Sequence, residues 1–167
     1  SVQVLRQGEA LVATALVVEE GGLDAGLAHE VYAGRRRPRG HLIPQSLAAH
    51  VGLEQGARLR GARIMRIAVH PAVQGRGLGS ALVGAVASTA EARGLDWLGA
   101  SFGATPELLR FWQRQGLAPV RIGIGLTVTI NLPFREIGAI CVKEEKDKTG
   151  NIAIDLLDPE TRLAWFI

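Results

Sequence analysis

An apolar stretch that runs into three closely spaced glycines constrains this chain more than any other feature of its sequence. Residues 63–80 read RIMRIAVHPAVQGRGLGS and predict a buried strand over residues 64–69, a turn, and a helix from Ser80. Gly75, Gly77 and Gly79 lack a Cβ, so the backbone can turn sharply and direct its N–H groups at an anion. The positive end of the helix dipole faces the same anion. The stretch predicts a site for the diphosphate of a cofactor, and the alternative is an ordinary strand-to-helix turn.

The spacing of the glycines excludes two common phosphate loops. A P-loop requires Gly-x-x-x-x-Gly-Lys-Ser/Thr, and the chain contains no Gly-Lys pair. A dinucleotide fingerprint reads Gly-x-Gly-x-x-Gly, whereas Gly75-Arg76-Gly77-Leu78-Gly79 reads Gly-x-Gly-x-Gly and follows Gln74. The pattern Gln-x-x-Gly-x-Gly after a strand that ends in Val-His-Pro resembles the acetyl-CoA loop of the Gcn5-related N-acetyltransferase superfamily. The resemblance implies an α/β fold, with a mixed, mostly antiparallel sheet and flanking helices.

Two further segments narrow the resemblance. Residues 36–45 read RRPRGHLIPQ and residues 98–116 read LGASFGATPELLRFWQRQG. Together with residues 74–80, called the glycine turn, they resemble the acetyltransferase module of the tRNA(Met) cytidine acetyltransferases, over about residues 1–121. That family acetylates N4 of the wobble cytidine of elongator tRNA(Met), using acetyl-CoA and an ATP-driven helicase module. The resemblance therefore implies acetyl-CoA and tRNA as partners, and a helicase module that this chain does not contain.

The same resemblance assigns the residues that would bind the cofactor. The end of the apolar strand would bind the pantetheine arm, and the glycine turn would bind the diphosphate. Two charged residues seven positions apart on one helix, Glu107 and Arg114, correspond to positions that contact the cofactor, and the alternative is that both are solvated helix charges. The complete set is Ile67, Ala68, Val69, Gln74, Gly75, Arg76, Gly77, Leu78, Gly79, Ser80, Glu107 and Arg114.

No acid or base is assigned by the sequence. Many relatives place a tyrosine in a Phe-Tyr-x-x-x-Gly-Phe pattern to protonate the leaving thiolate, but here Trp112 occupies that position, and an indole cannot supply the proton. His70 follows the strand, and its ordinary pKa suits proton transfer near neutral pH. A structural role is the favoured interpretation of His70. His29 and His41, beside an arginine-rich loop, are open between the same structural and catalytic roles, and the single tyrosine, Tyr32, is open between a catalytic role and a place in the core.

Charge is distributed unevenly along the chain. Up to Arg121 there are fourteen arginines and no lysine against nine acids, whereas from Ile122 onward five bases face seven acids. We therefore predict an acetyl-CoA-binding core over residues 1–121 and, over residues 122–167, C-terminal strands of the same domain that are divergent or grafted. Four arginines in one loop, called the arginine loop, are the candidates for RNA binding: Arg35, Arg36, Arg37 and Arg39. The alternatives are a solvated loop or a surface that packs on the helicase module.

Length and composition favour a single soluble domain. The 167 residues can bury one substantial core, and no apolar stretch approaches the roughly 20 residues that cross a bilayer. With Cys141 as the only cysteine, no intramolecular disulfide is expected, and we predict no metal site. These features indicate a cytoplasmic location without membrane binding. The first residue, Ser1, favours a processed or excised piece.

Hydrophobic periodicity predicts the remaining elements. A hairpin is expected over residues 2–5 and 11–19, short helices over 27–32 and 46–51, and a helix over 80–93 that Gly94 ends. A strand over 97–101 precedes a helix that Thr105 caps and Gly116 ends. Antiparallel strands over 126–131, 139–144 and 151–157, the last two joined by a turn at 148–151, are expected to extend the sheet edge.

Three functions remain open on the sequence alone. The first is an RNA cytidine acetyltransferase module, which the arginine loop and the flanking segments favour. The second is an acetyltransferase for a protein or small-molecule amine. The third is a domain that binds acetyl-CoA without catalysis, which Trp112 and the altered C-terminal segment leave open.

Overall fold

A six-stranded sheet forms the centre of the molecule. The computed structural model describes residues 1–123, 126–131, 145–146 and 152–153. Strands β3 and β4 are parallel, and every other neighbouring pair in the order β1-β2-β3-β4-β6-β5 is antiparallel. The predicted α/β fold with a mixed, mostly antiparallel sheet is confirmed. The strands are β1 (Val2–Gln7), β2 (Ala10–Gly21), β3 (Arg60–Val69), β4 (Trp97–Phe102), β5 (Ala118–Gly123) and β6 (Leu126–Asn131).

Within the described residues, four α-helices accompany the sheet. The start of α4 and the end of α3 follow the predicted signals, whereas α3 begins at Leu78, two residues before the predicted start, and the helix predicted over residues 46–51 is a π-helical turn that continues α2. Thr105 Oγ1 accepts a hydrogen bond from Leu108 N–H at 3.3 Å, so the predicted cap of α4 is confirmed. Helix α3 ends two residues before Gly94, whose φ of +64° suits the residue after a helix. The elements are α1 (Ala25–Tyr32), α2 (Leu42–Gln45) continued by a π-helical turn (Ser46–His50), α3 (Leu78–Ala92), α4 (Pro106–Arg114) and 3₁₀ turns at Glu54–Ala57 and Pro71–Val73.

The two faces of the sheet carry separate cores. On one face, Leu82, Val83 and Val86 of α3 pack with Trp112 of α4 against alternate residues of β2, β3 and β4. On the other face, Ile43 of α2 and its neighbours pack against β4, β5 and β6. Burial on both faces explains why strand β6 is almost completely enclosed from Thr127 to Ile130.

An irregularity in β3 changes which side chains face α3. Opposite the junction of Leu16 and Val17, β3 contains one extra residue, Met65. Before this bulge Ile64 belongs to the α3 core, and after it Ile67 packs against the same core, which is possible only because the bulge shifts the two-residue alternation. The bulge therefore lies between the half of β3 that builds the core and the half that leads to the glycine turn.

The C-terminal strands differ in part from the prediction. Residues 126–131 form an antiparallel strand as expected, but this strand lies inside the sheet between β4 and β5 rather than at its edge. The edge strand is β5. The sequence did not indicate this strand, because Pro119 argues against one. Pro119 lies beside a register shift in an edge strand, where a missing N–H donor is tolerated. The segment 139–144 and the turn 148–151 lie outside the described residues. Of 151–157, Ile152–Ala153 pairs with Glu145–Lys146 in a separate two-stranded sheet, β7 and β8.

Candidate functional site

Strands β3 and β4 separate at the end that leads to the glycine turn. Their parallel pairing runs from Gly61 to Ile64 on β3, whereas β3 continues to Val69 paired only with β2. On the other side of the gap, the end of β4 at Ser101 and Phe102 pairs only with β6. The sheet therefore opens into a V, and residues 67–69, predicted to bind a pantetheine arm, line one side of it.

The glycine turn supplies a group of free amides at the mouth of this V. Gly75 and Gly77 have φ values of +76° and +77°, and a Cβ at either position would meet no atom within 4 Å, so the space beside them is open. Gly77 caps α3, and the first intrahelical bond is donated by Ala81 N–H to Gly77 C=O. Within the described residues, the N–H groups of residues 77–80 have no acceptor. Four such donors at the positive end of a helix suit a diphosphate.

Helix α4 packs directly against the start of α3. Gln115 Nε2 donates to Ser80 Oγ at 2.9 Å, and an added Cβ on Gly79 would lie 3.5 Å from Phe111 Cε2. Glu107 and Arg114 are four residues before and three residues after Phe111, so they share its stripe on the helix. Both are exposed, and Glu107 pairs at 3.2 Å with Arg110 rather than with Arg114. Gln115, which the sequence did not single out, provides the hydrogen bond between the helices.

The candidate proton carriers have structural contacts. His70 Nδ1 accepts a hydrogen bond from Ala72 N–H at 3.2 Å, which caps the short 3₁₀ turn and places the proton of the neutral ring on Nε2. Trp112 is 4% exposed and stacks on Phe102 with ring centroids 5.9 Å apart. Gln74, the other polar residue of the turn, donates from Nε2 to Val69 C=O at 3.0 Å. These contacts favour structural roles for His70 and Trp112.

The four arginines of the predicted RNA-binding loop have different surroundings. Arg35 forms two hydrogen bonds with the Glu30 carboxylate, at 2.6 and 3.0 Å, and these bonds lower the pKa of Glu30. Within the described residues, no carboxylate pairs with Arg36, Arg37 or Arg39. Arg36 and Arg37 line a pocket, and Arg39 lies outside it.

A buried ion pair that the sequence did not indicate joins this loop to the sheet. The Glu20 carboxylate accepts from Arg63 Nε at 2.6 Å and from Ile43 N–H, the second residue of α2, at 3.0 Å. The Glu20 side chain is 2% exposed and that of Arg63 is 12% exposed. Next to this pair, His41 Nδ1 accepts from Gly21 N–H at 2.9 Å. These bonds fix the start of α2, and therefore the end of the arginine loop, on strands β2 and β3.

Comparison with known families decides what kind of domain carries this geometry. The model of a family described as GNAT acetyltransferase 2 matches residues 6–88 and 82–129. The chain belongs to this family. The matched range contains β3, the glycine turn, α3 and α4, so the opened strand pair and its free amides are part of a GNAT acetyltransferase domain.

Several curated relatives of this GNAT domain are tRNA(Met) cytidine acetyltransferases. The protein from Nitrosococcus halophilus is 56% identical over an alignment that covers 100% of this chain and 24% of the relative. The protein from Pyrococcus furiosus is 38% identical over 90% of this chain and 18% of the relative. The chain therefore spans about a quarter or less of the length of these relatives.

Solved structures share the GNAT fold at low sequence identity. Polyamine N-acetyltransferase of Drosophila melanogaster superposes with a TM-score of 0.51 at 15% identity, covering 77% of this chain and 73% of that protein. An acetyltransferase of Thermus thermophilus superposes with a TM-score of 0.50 at 19% identity, covering 78% and 62%. Within the described residues, no helix is long and apolar enough to span a membrane.

Proposed function

We propose that this GNAT domain transfers an acetyl group from acetyl-CoA to N4 of the wobble cytidine of elongator tRNA(Met), as the acetyltransferase part of a larger enzyme. The observation that supports the transfer is the row of free N–H groups at residues 77–80 beside the open end of β3. The observation that supports the acceptor is the identity with tRNA(Met) cytidine acetyltransferases over nearly the whole chain. The remaining part of the enzyme, including a helicase module, is expected outside this chain.

The residues of the turn fit the diphosphate of acetyl-CoA. Unpaired backbone donors, positive φ at two glycines and open space beside them allow phosphate oxygens to approach the main chain. The side chain of Arg76 is exposed in the same turn and adds positive charge. Gln74 holds the turn through Val69 C=O, so its proposed role is to position the cofactor turn rather than to bind phosphate through its amide.

The strand end orients the reacting groups. Acetyl-CoA supplies an activated thioester, and β3 beyond Ile64 offers main-chain groups that β4 does not occupy. We assign Ile67, Ala68 and Val69 to the pantetheine arm, with Ile67 and Val69 packed on the α3 core so that this edge is rigid. Positioning of the amine against the thioester supplies most of the acceleration in this proposal. The weakly nucleophilic, uncharged cytidine amine attacks the thioester carbonyl, the C–S bond breaks and CoA leaves as a thiolate. The amine proton is lost late to water, and solvent protonates the thiolate.

Neither His70 nor Trp112 carries the proton in this proposal. The Nδ1 atom of His70 is occupied by Ala72 N–H, and its Nε2 atom bears the proton, so the neutral ring has no free acceptor. Trp112 is enclosed by Phe102 and Phe111. Glu107 and Arg114 stay assigned to the cofactor side, since they share the stripe of Phe111, which faces the start of α3.

Labelled acetyl transfer tests the proposed function. The purified protein is incubated with isotope-labelled acetyl-CoA and, in parallel, with bulk tRNA, peptides and small amines. We expect label in tRNA, and N4-acetylcytidine on nucleoside analysis. If label appears only in peptides or amines, the acceptor is a protein or small-molecule amine rather than RNA. Binding of acetyl-CoA without transfer to any acceptor would leave only a cofactor-binding domain.

A further inference from the structure

A cationic pocket lies between the arginine loop and the elements that pack beside it. It has a volume of about 260 Å³, well above the roughly 10–15 Å³ that one water molecule needs. It is formed by the end of α1, the arginine loop, the π-helical turn and strand β5. None of the residues of the glycine turn contributes to it. Its lining residues with polar side chains are Arg36, Arg37, Gln45, Ser46, His50 and Arg121.

The charges of this pocket are all of one sign. Arg36 and Arg37 come from the loop and Arg121 from β5, and no acid lines the pocket. Within the described residues, none of the three forms an ion pair, whereas the adjacent Arg35 is paired with Glu30. Three arginines that line one pocket without a carboxylate repel one another, so the arrangement favours an anion between them.

The backbone holds the two loop arginines in place. The N–H groups of Arg35 and Arg36 both donate to Glu30 C=O, at 2.9 and 3.2 Å. Further along, Gln45 Nε2 donates to Pro38 C=O at 2.7 Å and to Gly40 C=O at 3.0 Å. Arg37 lies between these anchors, so the loop is organised before any ligand arrives. Such preorganisation lowers the entropy that binding costs.

His50 reports the field inside the pocket. Partial burial first, and then the Arg121 and Arg37 guanidinium groups, hold the pKa of the His50 imidazole below its ordinary value. His50 ends a π-helical turn, a rare conformation that occurs frequently at functional sites. An anion bound between the arginines would oppose their field and raise the pKa of His50.

We propose that the pocket between Arg36, Arg37 and Arg121 binds a backbone phosphate of the RNA substrate. The inference rests on the proposed function for the identity of the ligand, and it assigns a role to Arg121, which no other observation has placed in a site. Arginine forks match phosphate oxygens with paired hydrogen bonds, so the guanidinium groups that line the pocket suit a phosphate. The phosphate contact is independent of base sequence, so it fixes the position of the RNA rather than selecting the cytidine.

The first test compares matched losses of charge. A fluorescein-labelled hairpin with the anticodon-loop sequence of elongator tRNA(Met) is titrated against the protein and against an Arg37→Gln/Arg121→Gln variant. We expect the double variant to weaken binding about tenfold or more and to flatten the salt dependence by roughly one phosphate contact. Arg39→Gln, from the same loop but outside the pocket, is the control and should cost less than about threefold. Equal losses per charge removed would overturn the proposal.

A second variant keeps the test decisive if the first fails to fold. Ala49 is exposed on the π-helical turn and lines the pocket, so Ala49→Glu introduces a carboxylate without removing a core side chain. We expect weaker hairpin binding, with unchanged acetyl-CoA affinity and unchanged thermal unfolding. Unchanged hairpin binding at low salt would contradict a phosphate in this pocket.

Proton NMR of His50 identifies the source of the phosphate. Titration with inorganic phosphate and with the hairpin should each raise the pKa of His50, while acetyl-CoA should leave it unchanged. A response to acetyl-CoA alone would assign the pocket to the cofactor, and a response to none of the three would remove the site. If labelled transfer to tRNA fails but hairpin binding still depends on Arg37 and Arg121, the proposed function is rejected. The assignment of the pocket to an RNA phosphate then still holds.

Discussion

Gly77 combines the backbone and the electrostatic requirements of the proposed cofactor site in one residue of the glycine turn. Its φ of +77° lies in the left-handed region, it caps α3, and the space beside its Cα is open. A side chain here would extend into the space in which we place the diphosphate. Local backbone geometry and ligand access therefore select the same amino acid.

Gly77→Glu should abolish detectable acetyl-CoA binding, because it adds bulk and negative charge next to the diphosphate and strains the backbone. Isothermal titration calorimetry measures the loss. Gly77→Ala separates the two causes, since it retains only the backbone strain of about 1 kcal/mol. Gly84→Glu, on the exposed side of α3 at another open position, should bind acetyl-CoA as the wild type does. Equal affinity in Gly77→Glu and wild type would contradict the assignment of the turn.

Glu20 is the residue on which the position of the arginine loop depends. Glu20→Gln removes the charge that Arg63 needs in a buried place, so we expect a loss of about 3–5 kcal/mol in the free energy of unfolding. Urea denaturation measures it. Glu19→Gln is the matched control, because Glu19 pairs with Arg60 and Arg93 at the surface, where such pairs contribute about 1 kcal/mol or less. Similar losses in the two variants would show that the buried pair has no special role.

At the scale of elements, the contact between α4 and the first turn of α3 holds the glycine turn in shape. Phe111 lies against Gly79, and Gln115 reaches Ser80. Trp112 of α4 also packs with the buried residues of α3 in the core on this side of the sheet. The four free N–H groups at the start of α3 therefore keep their direction because a second helix supports the turn from which they project.

A double-mutant cycle tests this coupling. Gln115→Ala and Ser80→Ala should each weaken acetyl-CoA binding a few-fold, and the double variant should cost no more than the larger single change, giving a coupling energy of about 1 kcal/mol. Gln113→Ala, two residues earlier on the exposed side of α4, should have no effect. Strict additivity of the two single changes would contradict the coupling.

At the scale of the whole molecule, the excess of positive charge belongs to the first part of the chain. Fourteen of the sixteen arginines lie at or before Arg121, and three of them line the pocket beside β5. We expect a polyanion to be attracted to this pocket, whose lining includes no residue of the glycine turn.

Replacing Arg35, Arg36, Arg37 and Arg39 by Gln should weaken tRNA binding strongly at low salt and leave acetyl-CoA affinity unchanged. The matched control removes the same charge from the exposed side chains of Arg6, Arg58, Arg93 and Arg110. It should weaken tRNA binding much less, because phosphate contacts are short-ranged at physiological salt. Filter binding over a range of salt concentrations measures both. Equal weakening would show that only net charge matters.

The fold was predictable wherever short-range signals were strong. Apolar periodicity predicted β3, α3, β4 and the hairpin of β1 and β2, and the Thr105-Pro106 pair predicted the start of α4. The resemblance of the glycine turn gave the sheet class. The position of β6 was not predictable, because strand order depends on how β5 and β6 pack against β4, and Pro119 conceals the edge strand.

The candidate site divides in the same way. The sequence alone determined the glycine turn, its capping of a helix and the cationic loop, since each depends on the chemistry of adjacent residues. Only the tertiary structure decided that β3 parts from β4 after Ile64, that Arg35 is paired with Glu30, and that Arg121 joins Arg36 and Arg37. The physical reason is distance along the chain: these contacts join residues that only folding brings together, and no local pattern records which partner a charge or a strand edge will find.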